Sequence, residues 1–244
     1  MEKRSNTRLW EIDMLRGFAL ILMVTYHFLY DLNEFFNYDI AYNEGVFYLL
    51  GKSAAILFIL IAGVSCSFSK NNTLRGVKLI IWGSVIFLVT YITVPGSNII
   101  FGILHFLGTC LLLYPVFKNL PPYILVAGGA AVIVAGEFTA QIPVSQNWLV
   151  PLGFWGPSFS SVDYFPLIPW LGVFLLGIAI SKLVYQQRKS LTGDLGKYFL
   201  PLTVVGRHTL VIYLVHQPLI LAALYLIIDP QGLIDMLGKC TATL

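Results

Sequence analysis

Between Asp13 and Asp31 one apolar stretch, DMLRGFALILMVTYHFLYD, carries side chains able to do acid–base and ionic chemistry. Asp13 and Arg16 are three apart, so on a helix they share a face. His27, Tyr30 and Asp31 fall at i, i+3 and i+4 and share a face as well. A neutral imidazole can accept a proton, and a carboxylate one turn away can steady the resulting imidazolium, which would make His27 a general base with Asp31 as its orienter. The alternative is a hydrogen-bonded structural histidine beside a boundary aspartate, and spacing does not separate the two. Arg16 has two readings too: a planar fork of donors for a phosphate, or simply the partner of Asp13. The setting makes these residues worth following, because titratable groups inside lipid are costly and need a partner or a purpose.

That setting follows from composition. Of 244 residues 57% are hydrophobic and 11% charged, and the mean hydropathy is +0.80. A soluble domain carries charge on about 25% of its residues, so this chain could not cover a water-facing globule. The expected class is all-α, a polytopic membrane helical bundle, with seven spans near 13–31, 46–68, 77–94, 99–117, 121–136, 166–185 and 207–228. The chain reads as one transmembrane domain, 1–244, with a core at 8–228. The fifth span, YILVAGGAAVIVAG, is rich in small residues, and Gly177 with Ser181 forms a small-xxx-small pair; both suit close helix packing. VPGSN, with Pro95 and Gly96, reads as a tight turn, and 137–165 as the one long connection between spans. No small-residue cleavage site ends the first apolar run, so the first helix is expected to be retained. Cys66, Cys110 and Cys240 follow no metal or disulfide spacing, and the first two read as small buried hydrophobes.

Charge distribution suggests an orientation. With the N-terminus in the cytoplasm, all Lys and Arg residues except Lys52 and Lys239 fall on the cytoplasmic side, so N-inside and C-outside is expected. Asp13, Arg16, Arg75, Lys78 and Arg207 would then form a basic inner entrance. His27, Asp31, His105 and His216, with Tyr30, Asp163 and Tyr164, would lie in the outer part of the bundle. For His105 nothing nearby in sequence is a partner. His216 precedes Pro218, whose ring frees a backbone carbonyl that His216 or Gln217 could satisfy. The net charge of +3 does not indicate nucleic-acid binding, and no phosphate-binding glycine loop or metal-ligand motif is present.

Five stretches occur in order: IDMLRGFALILMVTYH, FILIAGVS, FGILHFLG, VDYFPLIPWLGVFLLG and GRHTLVIYLVHQPL. Together they resemble the bacterial branch of the heparan-α-glucosaminide N-acetyltransferase catalytic-domain family, within the wider transmembrane acyltransferases. The resemblance implies transfer of an acyl group, with acetyl expected, from cytoplasmic acyl-CoA to an amine or hydroxyl of an extracytoplasmic, sugar-type acceptor. It implies a multi-pass protein of the plasma (cytoplasmic) membrane whose partners are the lipid bilayer, acetyl-CoA or another acyl-CoA, and the carbohydrate acceptor. No metal and no nucleic acid are expected, and a homodimer is compatible with the sequence.

In this reading His27, oriented by Asp31, deprotonates the acceptor, and His105 orients it or stabilises the oxyanion. Asp13, Arg16, Arg75, Lys78 and Arg207 meet the CoA phosphates. Asp163, Tyr164, His216 and Tyr30 meet the acceptor. Eukaryotic members of the family have a key histidine after the first helix, whereas 31–50 here contains none. The base is therefore either His27 or His105. A small proton-coupled transporter is the alternative function, since intramembrane His and Asp also build proton relays, although no matching half-repeats are evident.

Overall fold

The structure, a computed structural model, describes residues 9–93, 98–139, 142, 144–145, 147–157, 159–187 and 189–232. The described residues form helices and connections. In order the helices are α1 (Trp10–Phe36), α2 (Gly45–Cys66), α3 (Asn72–Thr93), α4 (Ile103–Phe117), α5 (Pro122–Thr139), α6 (Leu167–Val184), α7 (Leu200–Arg207) and α8 (Thr209–Ile228). Six of these are long and apolar enough to cross a membrane: α1, α2, α3, α5, α6 and α8. The seventh expected span corresponds to α4, apolar but shorter. The expected last span begins at 207, whereas the chain breaks at His208 between short α7 and α8, where Thr209 Oγ1 donates to Gly206 O at 2.6 Å. The Pro95–Gly96 turn and Cys240 lie outside the described residues. So do Lys3, Arg4, Arg8, Arg188 and Lys239 of the charge pattern.

Two compact units make up the chain, 1–58 with 189–244, and 59–188. In the first unit α1 is the spine. It ends at Asn37, which takes the left-handed conformation (φ 56°) that Asn tolerates better than most residues. Asn33 Nδ2 donates to Tyr38 O at 2.9 Å and closes that end. Packing of α1 on α7 brings backbone against backbone. A Cβ on Gly206 would collide with the carbonyl oxygen of Asp13, and one on Gly17 would collide with that of Leu202. Further along, Leu20, Met23 and Ala54 form a buried core with Val205, Ile212 and Tyr213 packed on it.

At the start of α1, Glu11 Oε1 accepts from Ser190 Oγ at 2.5 Å and from Leu191 N–H at 2.7 Å. Trp10 Nε1 donates to Gly193 O at 3.0 Å, so the loop leading to α7 is tied to the helix it will pack against.

The second unit is built by the same device. Gly129 on α5 and Gly172 on α6 are so close that a Cβ on Gly172 would collide with Gly129 O, as the small-residue composition of the fifth span foretells. Gly177 packs on Gly63, joining α6 to the later turns of α2, and Gly76 packs on Gly108, joining α3 to α4. Phe106, Phe174, Ile59 and Ile178 fill the interior, and Cys66 and Cys110 are buried and free. Asn71 Oδ1 accepts Leu74 N–H at 2.9 Å and caps the start of α3. Lys182 Nζ donates to the carbonyls of Lys118 and Leu120, both at 2.6 Å, and fastens the chain just past the end of α4.

Backbone proximity makes a sharp prediction. Gly206→Ala forces α1 and α7 apart and should destabilise the protein by about 1–3 kcal/mol or more, read as a lower melting temperature in detergent. Gly128→Ala meets nothing within 4 Å and should be neutral or slightly stabilising.

Candidate functional site

At about 100° per residue, Asp13, Arg16, Leu20, Met23, His27 and Asp31 fall within about 80° of one another around α1. This stripe packs on α7 and α8, and it is polar at both ends with an apolar middle. At the N-terminal end Asp13 is 1% exposed. Its Oδ1 accepts from Arg16 Nη1 at 2.9 Å, and its Oδ2 lies 3.6 Å from Arg207 Nε. The i, i+3 pairing of Asp13 with Arg16 forms as expected, and Arg207 is brought in from α7, 194 positions away in sequence (207 minus 13). One buried carboxylate thus holds two guanidinium groups that remain partly exposed. The buried acid sets the position of both guanidinium groups.

The other end holds His27, Asp31, His216 and Gln217. The His27 and His216 rings meet edge to face with centroids 4.8 Å apart. His27 Nδ1 is 2.9 Å from Met23 O, and His216 Nδ1 is 2.7 Å from Tyr213 O. A carbonyl only accepts, so each neutral ring carries its proton on Nδ1 and presents Nε2 as its basic atom. The contact of His216 is with Tyr213 O rather than with the Leu214 carbonyl that Pro218 leaves without its helical donor.

Asp31 is 0% exposed. The orienting hydrogen bond expected between His27 and Asp31 does not form. Asp31 Oδ1 instead accepts from Gln217 Nε2 at 2.5 Å, because α8 brings an amide donor to it while the His27 ring turns back toward its own helix. Gln217 was legible in the sequence only as a residue that could answer a free carbonyl, and its actual partner lies on another helix. Three atoms here are buried without a hydrogen-bond partner: Asp31 Oδ2, His216 Nε2 and Gln217 Oε1. Beyond Asp31, Tyr30 stands edge to face with Tyr42 at 5.1 Å, and Tyr42 donates to Glu34 Oε1 at 2.8 Å. Burial and then that hydrogen bond raise the Tyr42 phenol above its ordinary range.

His105, Asp163, Tyr164, Arg75 and Lys78 belong to the 59–188 unit. His105 Nε2 lies 3.4 Å from Ser84 Oγ, its Nδ1 is buried without a partner, and Phe101 stacks on its ring at 6.0 Å. Asp163 was expected to meet acceptor hydroxyls. In the structure its Oδ2 accepts Ile103 N–H at 3.2 Å, supplying from a distant loop the N-terminal cap that α4 lacks in its own Gly102. The neighbouring backbone joins in, with Val162 N–H on Asn98 O and Phe165 N–H on Phe101 O. This clasp joins FGILH to VDYFP: one segment starts the helix that carries His105, and the other caps it. Burial pushes the Asp163 carboxyl up to about 6, against the pull of the Ile103 N–H. Burial likewise pushes the Tyr164 phenol, which donates to Val150 O at 2.6 Å, up to about 12. Arg75 and Lys78 are exposed on α3.

Long apolar helices that bring His27 against a buried His216 and bury the carboxylates of Asp13 and Asp31 make this a multi-pass helical membrane protein with polar groups inside it. The family is shown by sequence: residues 8–218 match the family described as heparan-alpha-glucosaminide N-acetyltransferase, catalytic, and the chain belongs to it. It is thus a member of a membrane acetyltransferase family. Neither the curated proteins nor the solved structures contain a match to it.

The Asp163 clasp titrates with a definite sign. A carboxyl raised in the folded state contributes its full stability below the ordinary carboxylate value, and that contribution is lost as pH rises through about 6. The melting temperature should therefore fall between pH 4 and pH 6.5 for this group, and Asp163→Asn should flatten that part of the profile. Asp163→Ala should lower stability by about 1 kcal/mol at pH 5 through loss of the cap.

Proposed function

We propose that the protein acetylates an amine or hydroxyl of a sugar-type acceptor on the outer side of the plasma (cytoplasmic) membrane, drawing the acetyl group from cytoplasmic acetyl-CoA. The observation that carries the reading is the His27–His216 pair, whose Nδ1 atoms are committed to main-chain carbonyls and whose Nε2 atoms are left basic, with the buried carboxylate of Asp31 one turn from His27 on α1. Family membership supplies the reaction class. The charge pattern along the chain supports an N-inside arrangement, which puts Asp13, Arg16 and Arg207 at the cytoplasmic end of α1. His27 lies about 21 Å further along the same helix, at a rise of about 1.5 Å per residue. An extended pantetheine arm spans a separation of that order, so nucleotide phosphates held by Arg16 and Arg207 are compatible with a thioester near His27.

His27 Nε2 takes the proton of the acceptor as the acceptor's lone pair adds to the thioester carbonyl. The C–S bond then breaks, CoA leaves as thiolate, and the proton passes from the imidazolium to that thiolate. Family membership gives the transporter alternative no support.

Purified protein given acetyl-CoA, with glucosamine as acceptor probe, should release free CoA thiol. His27→Ala should lower that release by about 10²-fold or more while eluting as the folded protein. Wild-type turnover by this variant would remove His27 as the base. Arg207→Ala should raise KM for acetyl-CoA several-fold with kcat little changed, the signature of lost ground-state binding.

A further inference from the structure

Among the described residues of the first unit Asp31 is the most deeply buried carboxylate, and one of its oxygens has a partner while the other has none. A buried, half-satisfied polar network is costly in an apolar bundle, so its arrangement calls for a reason. That reason is on α8. Gln217 follows His216 directly and precedes Pro218, and its amide is the only hydrogen-bond donor that reaches Asp31 among the described residues.

We propose that Gln217 is a positioning residue of the transfer site, acting through Asp31; the inference rests on the acetyl-transfer reading above. By donating to Oδ1 it stabilises the carboxylate and fixes its rotamer. Oδ2 is thereby left as an uncommitted acceptor in the cluster that holds His27 and His216. For an amine acceptor, a carboxylate oxygen held in this way can accept a hydrogen bond from the second N–H of the nucleophile while His27 Nε2 removes the proton being transferred. Without the amide, Asp31 has no internal partner and is free to turn. The sequence neighbourhood suits this role, since His216 and Gln217 are successive on α8 and meet His27 and Asp31, which are one turn apart on α1. Two adjacent positions on one helix therefore match a four-residue step on the other, and a single helix–helix contact sets both pairs.

The test compares Gln217→Leu, Asp31→Asn, the double variant of these two, and the swap Asp31→Asn with Gln217→Glu. CoA release from acetyl-CoA with glucosamine and melting temperature in detergent are both measured. Gln217→Leu should lower kcat by about 10²-fold with KM for acetyl-CoA within about twofold. Added to Asp31→Asn it should cost less than about twofold more, since both changes remove one arrangement. The swap restores an amide–carboxylate hydrogen bond with the roles reversed, so it should recover the wild-type melting temperature but not turnover. Losses that multiply in the double variant, or turnover restored by the swap, would reduce Gln217 to a link between helices and overturn the proposal. Should Gln217→Leu not survive purification, the swap and Gln217→Glu alone supply the same comparison. Wild-type protein that releases no CoA would instead overturn the acetyl-transfer reading itself.

Discussion

Two carboxylates inside the first helix set the terms for everything packed against it. Asp13 and Asp31 are almost completely removed from solvent, and an isolated ionised carboxylate in an apolar medium is too costly to persist. Each is answered from the last part of the chain, Asp13 by Arg207 of α7 and Asp31 by Gln217 of α8, with Arg16 as a further partner for Asp13. The requirement is directional as well as energetic. Hydrogen bonds and ion pairs tolerate only small changes in distance and angle, so these contacts fix where α7 and α8 stand against α1 more narrowly than apolar packing would. The glycine contacts at Gly17 and Gly206 are the steric counterpart, allowing the close approach that brings Arg207 within reach of Asp13.

The other unit solves a related problem by different means. Its helices are fastened through glycine-on-glycine approach, and its loops supply caps the helices do not provide for themselves. Asp163 caps α4 from a loop, and Lys182 fastens the chain just past the far end of the same helix. α4 is the shorter apolar helix and it carries His105, so both of its ends are held by side chains from elsewhere in the chain. Asp163, a candidate ligand-binding residue by sequence, thus has a demonstrable structural duty. A carboxylate in a connecting loop can carry either meaning, and only its partner tells which.

Membership of an acetyltransferase family and the chemistry of the first unit point the same way from different starting points. The family supplies a reaction class, and the geometry supplies groups suited to it: basic imidazole nitrogens of defined tautomer, a carboxylate held from one side, and paired guanidinium groups at the other end of the same helix. That both sets occur on one stripe of α1 follows from the near coincidence of helical turns at positions 13, 16, 27 and 31.

Sequence alone determined the class, the expected spans and their approximate limits, because twenty or so apolar residues in succession have few other fates. It also determined the Asp13–Arg16 pair, since a local i, i+3 contact needs nothing beyond the helix itself. The small-residue packing of the fifth span was readable for a similar reason: composition limits how closely a helix can approach any neighbour. Only the tertiary structure decided which neighbour that was, that His27 meets His216, and that Asp31 turns to Gln217 rather than to the histidine one turn away. It also decided that Asp163 serves the start of α4. These contacts join residues separated by 43 to 189 positions (172 minus 129; 216 minus 27). Periodicity reports which residues share a face of one helix, but which helix that face meets depends on how the whole bundle closes.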